Sequence, residues 1–121
     1  MNIIIKTIPH KEQRYDTVGD YFTDDDGTIQ MRISELGDNR MNILIAIHEL
    51  YEKFACQAKG ITDEQIDEFD INYDGDYDEC GQDPSAPYHQ EHMDATEVEK
   101  LACEKFGFNW EEYDKIVMEL E

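Results

Sequence analysis

Positive charge is scarce in this chain. Ten Lys and Arg face 30 Asp and Glu in 121 residues, a net charge of −20. No basic stripe exists to track a phosphate backbone, which argues against direct nucleic-acid binding. An anionic membrane surface is excluded on the same ground, and no apolar run approaches the roughly 18 residues of a spanning helix. Cysteine is sparse as well. Cys56, Cys80 and Cys103 are odd in number and far apart, which speaks against a disulfide framework and for a reducing cytoplasm. The opening MNIIIKTIPHK lacks a basic region ahead of its short apolar run, so it reads as a strand and not as a leader peptide.

What is present is enough for one folded domain. Apolar residues make up 40% and aromatics 11%, too many for a disordered acidic chain. Such a domain carries self-repulsion that a bound cation or a basic partner would relieve.

The hydropathy pattern predicts an α+β fold. Residues 2–8 are β-branched and form a strand that Pro9 ends. Residues 28–34 alternate apolar and polar, and Asp24-Asp25-Asp26-Gly27 supplies a turn, so 16–34 is expected to be a hairpin. After Gly37-Asp38-Asn39, residues 40–58 place Ile43, Ile47, Leu50, Tyr51 and Phe54 at helical spacing, and Gly60 closes the helix. Thr62-Asp63-Glu64-Gln65 is a capping box for a short helix to about Phe69. Residues 70–86 are irregular and acidic. A second box, Asp94-Ala95-Thr96-Glu97, precedes the stripe Val98, Leu101, Ala102 and Phe106; a start near Pro87 would add His89 and His92 to that helix. Asn109-Trp110-Glu111-Glu112 caps a last helix. The expected architecture is a small N-terminal antiparallel sheet on the central helix, completed by the C-terminal helices. The expected core is Ile4, Val18, Ile33, Ile43, Ile47, Leu50, Phe54, Leu101, Trp110, Ile116 and Leu120.

Three patterns carry chemistry. The central helix contains His48-Glu49-Leu50-Tyr51-Glu52, an H-E-x-x-E pattern. His48 and Glu52 lie one turn apart and can share a metal, zinc first among divalent ions. Glu49 takes the position where H-E-x-x-H metalloproteases hold the general base. A third ligand must come from elsewhere: His92, His89, Asp70 or Cys80, with His89-Gln90-Glu91-His92 the richest segment. The opposing reading is a satisfied histidine beside surface pairs such as Glu49 with Lys53.

Residues 70–78, Asp-Ile-Asn-Tyr-Asp-Gly-Asp-Tyr-Asp, fit the first nine positions of an EF-hand calcium loop, with Asp70, Asn72, Asp74, Asp76 and Asp78 as oxygen donors. Position twelve is Gly81 and not the bidentate Glu. Finally, Glu49-x-x-Glu52 and Glu64-x-x-Asp67 look like the magnesium-binding pairs of all-α nucleotide pyrophosphohydrolases, although N-terminal strands do not belong to that architecture.

The chain resembles a group of small, functionally uncharacterised proteins encoded by bacteriophages and prophages. The resemblance rests on Arg14-Tyr15-Asp16-Thr17-Val18-Gly19-Asp20-Tyr21, His48-Glu49-Leu50-Tyr51-Glu52, Gly60-Ile61 with Asp67-Glu68-Phe69-Asp70, and Gly81 with Asp83-Pro84. It extends to Ala86-Pro87-Tyr88 and Glu91-His92. It implies a phage-derived protein of the host cytoplasm, with His48, Glu52, Asp70 and His92 sharing one site. Two functions follow as expectations. One is a metal-dependent hydrolase with Glu49 as base. The other is an acidic inhibitor that mimics nucleic acid and occupies a basic host defence enzyme.

Overall fold

A computed structural model describes residues 1–121. Three strands precede four helices: β1 (Ile3–Ile8), β2 (Gly19–Thr23), β3 (Ile29–Ser34), α1 (Asn39–Ala58), α2 (Asp63–Ile71), α3 (His89–Lys105) and α4 (Trp110–Leu120). The fold is α+β, as the patterning predicts.

The sheet has the order β1-β3-β2. β2 and β3 form the expected antiparallel hairpin, with Tyr21 opposite Met31. Gly27 supplies the positive φ of its turn, at 87°. The expected all-antiparallel sheet needs correction, because β1 runs parallel to β3, with Ile5 opposite Met31. The cause lies in residues 9–18. They pass through a single 3-10 turn (His10–Glu12) and cross to the far edge, so β2 enters there and folds back to put β3 in the centre. β3 is the strand able to fill that place, since Ile29, Met31 and Ile33 are all buried.

Local signals set the helix ends. The Asp38 carboxylate accepts from the Arg40 amide at the start of α1. Thr62 and Gln65 exchange both bonds of a capping box before α2. Asn109 caps α4 by accepting from the Glu112 amide. α3 begins at His89, the earlier of the two expected starts, and the Asp94 box falls inside the helix. No helix is long and apolar enough to cross a membrane.

α1 packs on the sheet by one side and on α3 by the other. Two apolar clusters result. One gathers Val18, Ile33, Leu44, Ile45, Cys103, Tyr113 and Val117. The other gathers Tyr21, Ile29, Met31, Cys56, Ile66 and Tyr88. α1 contributes Leu44 and Ile45 to the first and Cys56 to the second, so its intervening turns lie between the clusters.

The expected core is corrected at three positions. Ile4 is 47% exposed, Ile43 46% and Leu101 58%. β1 is an edge strand, which accounts for Ile4. On α1 and α3 the buried face is another one. α1 turns Ile45, His48, Glu49, Glu52, Lys53 and Cys56 inward, and α3 turns in His92, Ala95, Glu99 and Cys103. Both sets follow helical i, i+3, i+4 spacing, but their central members are polar. Val18 and Ile33 are buried as expected, whereas Ile47, Leu50, Phe54, Trp110, Ile116 and Leu120 are half-buried.

Candidate metal centre

The polar turns of α1 meet the first turn of α3 at one point. His48 Nε2 lies 3.1 Å from Glu52 Oε2, and His92 Nδ1 lies 3.0 Å from that same oxygen. The two ring nitrogens are 3.2 Å apart. All three residues are about 95% buried, at 5% exposure each. A tetrahedral zinc with bonds of 2.0–2.1 Å separates its ligands by about 3.3 Å. These three atoms already stand close to that spacing. Either both ring N–H groups point at the one carboxylate oxygen and crowd each other, or one cation at the centre meets all three atoms. The group could hold a divalent ion.

The surroundings orient each ligand. The Glu99 carboxylate is 2.8 Å from His48 Nδ1, which places a proton on that nitrogen and leaves Nε2 directed at the centre. Glu99 is itself held by the Tyr113 hydroxyl at 2.6 Å. The Tyr21 hydroxyl donates to Glu52 Oε1 at 2.9 Å, leaving Oε2 to face the two histidines. Behind His92, Glu79 Oε2 is 3.1 Å from Nε2. That contact is electrostatic, because Nε2 makes no hydrogen bond of acceptable angle. Two glycines make room. A methyl group on Gly81 would collide with the His92 ring, and one on Gly19 would collide with the Glu49 carboxylate.

In the metal-free chain, protons offset the charge of Glu52. Burial pulls the His92 pKa down, but Glu52 and Glu79 outweigh it and hold it up at about 9. Burial also works against the His48 cation, and Glu52 and Glu99 again prevail, so its pKa is raised. Glu52 shows the counterpart. Burial raises it, yet the two histidines bring it down to about 2.

Glu49 stands apart. It is 8% exposed and reaches the cavity beside the cluster, but it makes no hydrogen bond or ion pair. The expected partner, Lys53, instead holds Asp63 at 2.6 Å. Burial and then the neighbouring Glu52 raise the Glu49 pKa well above the usual carboxylate range. A dication on Glu52 would reverse the second influence and favour ionised Glu49.

Asp70 lines the same cavity but is not in the ligand trio. Its two oxygens accept from Tyr88 at 2.5 Å and Tyr15 at 3.0 Å. Burial raises its pKa to about 6 against the pull of those hydroxyls. His89 is turned away, with Nδ1 2.9 Å from the Gly81 carbonyl. Cys80 lines the cavity without joining the trio.

The calcium-loop expectation does not match the geometry. Asp70 faces inward to its tyrosines, whereas Asn72 donates to the Glu68 carbonyl at 2.9 Å. No group of three carboxylates converges in residues 70–78. The paired-acid pattern fails similarly, since Glu64 is exposed and Asp67 is held by Arg14.

The sequence reading did not place Glu99, Glu79, Tyr21 or Tyr113 around the two histidines. Glu99 had a usable signal, lying seven residues after His92 and thus on the same face of α3. The tyrosines carry none, because their carboxylate partners are remote in the chain. No family model matches the chain, nor does any curated protein or solved structure.

Proposed function

We propose that this protein is a zinc-dependent hydrolase with His48, Glu52 and His92 as ligands and Glu49 as general base. One observation carries the reading. Three buried ligand atoms stand at metal-ligand spacing, and a second acid beside them, Glu49, has no partner. Three protein ligands leave a tetrahedral ion one open position, the arrangement of catalytic zinc sites and not of closed structural ones.

Bound there, zinc would supply Lewis-acid polarisation of a carbonyl-type substrate. The remaining work falls to the chain. Glu49 takes a proton from the attacking water as the new C–O bond forms, and returns it to the leaving group as the scissile bond breaks. Glu99 keeps the His48 lone pair aimed inward, and Tyr21 keeps Glu52 to one ligating oxygen.

Elemental analysis of untagged protein, with assays on a panel of ester and amide substrates, tests this. About one zinc per chain is expected, and Glu49→Gln should keep the zinc while losing roughly 10²–10⁴-fold in rate. Full activity in Glu49→Gln would remove the base from the account.

A further inference from the structure

The cavity beside the trio has an unusual wall. Eleven carboxyl side chains line it, and no lysine or arginine does. Several are locally compensated. Arg14, from outside the lining, holds Asp20 at 2.6 Å and Asp67 at 3.1 Å. Asp16 faces His10, and Asp70 has its two tyrosines. Glu52, Glu79 and Glu99 surround the histidines. Glu49, Asp78, Asp114 and Glu121 have neither a cation nor a hydrogen-bond donor from another side chain. Glu49 does so while 8% exposed, and Glu121 Oε2 is a buried oxygen with no partner at all.

Arg14 and a bound dication together fall far short of neutralising this wall. A phosphate or carboxylate entering it would meet repulsion, with no guanidinium or ammonium to receive it. The space, about 240 Å³, holds on the order of eight waters, the size of one long side chain or a small amine. Tyr15 and Trp110 in the wall add aromatic surface for its apolar stem.

We infer that the cavity selects ligands bearing an ammonium or guanidinium group and rejects anionic ones. The unpaired carboxyl groups of Asp78 and Glu121 would receive the cation, which leaves Glu49 free. This deepens the hydrolase reading by naming its substrate class. It rests on that reading for the chemistry, but its test reads binding alone.

The experiment follows backbone amide resonances while n-butylamine, n-butylguanidine, sodium butyrate or n-butyl phosphate is titrated at low salt. Both zinc-loaded and zinc-free protein are used. The two cations should move the Gly19 and Gly81 amides, and the two anions should bind at least ~10-fold more weakly. The double variant Asp78→Asn/Glu121→Gln removes two unpaired carboxyl groups without touching a ligand or Glu49. It should weaken amine binding about 3- to 10-fold while zinc content and melting temperature stay unchanged. Butyrate or butyl phosphate binding as tightly as the amine would overturn the inference. So would amine affinity indifferent to the double variant. Amine selectivity in a protein that takes up no zinc would instead refute the metal reading and leave this inference standing.

Discussion

The β2–β3 hairpin and the seam between α1 and α3 are both buried, and they are built from opposite materials. In the hairpin, Tyr21, Ile29, Met31 and Ile33 face inward, and their burial follows their hydropathy. In the seam, His48, Glu49, Glu52, His92 and Glu99 face inward, while Ile43, Val98 and Leu101 lie outside at 46%, 37% and 58% exposure. Burying apolar surface stabilises a fold by about 25 cal/mol per Å². Burying carboxylates and imidazoles costs several kcal/mol per ion unless they are paired. The hairpin therefore supports the fold. The seam spends part of that stability on geometry, which is what a binding site requires.

The sharpest way to probe the contrast is to truncate one member of each region. Ile33→Ala should lower unfolding free energy by about 2–5 kcal/mol and leave zinc uptake intact, as urea denaturation and metal analysis would report. Zinc affinity lost along with stability in that variant would show that the two regions are not separable.

Next is replacement of the buried charges themselves. His48→Leu/Glu52→Leu/His92→Leu/Glu99→Leu, which removes the buried acid paired with His48 as well, should raise the stability of the metal-free protein by about 1–4 kcal/mol and abolish zinc binding. Destabilisation on calorimetric melting would mean that the seam is a structural ion network after all.

Glu99→Gln is gentler. The amide can still accept from His48 Nδ1, but without charge, and zinc affinity should fall about 10–100-fold in a chelator competition. An unchanged affinity would remove Glu99 from the account.

pH sharpens the comparison further. In the metal-free protein His92 titrates near 9, above its ordinary 6.5. A raised folded-state pKa contributes stability that is complete below pH 6.5 and lost as pH rises through 9. Zinc needs the deprotonated imidazole, so its affinity rises across the same window. The melting-temperature gap between loaded and metal-free protein should widen from pH 6.5 to 9. A gap independent of pH would argue that no histidine is a ligand. The smallest effect belongs to Leu101→Gln. An exposed site of this kind changes stability by within about 0.5 kcal/mol, despite lying in a stripe that the pattern alone assigns to the core.

That last case shows what the sequence could and could not disclose. The hairpin was readable because the alternating apolar residues of β3, Ile29, Met31 and Ile33, are all buried. The helix ends were readable because Asp38, Thr62 and Asn109 act locally. The pairing of β1 was not, since it depends on where residues 9–18 carry the chain. On α1 and α3 the periodicity pointed to the wrong face, because a pattern rule takes apolar residues as the inside. His48, Glu52 and His92 were nevertheless legible as chemistry, from the one-turn spacing of the first two and the histidine-rich start of α3. Asp70 was placed in the right cavity, but Tyr15 and Tyr88 occupy its oxygens. Glu79, Tyr21 and Tyr113 join the site only through contacts 13 to 31 residues apart in the chain.

The most direct test of the central claim is a zinc titration followed by calorimetry, on the metal-free chain and on His92→Ala in parallel. The account predicts one site per chain, proton release on binding, and loss of most of the affinity in the variant. No saturable binding, or binding equally tight in both proteins, would contradict it.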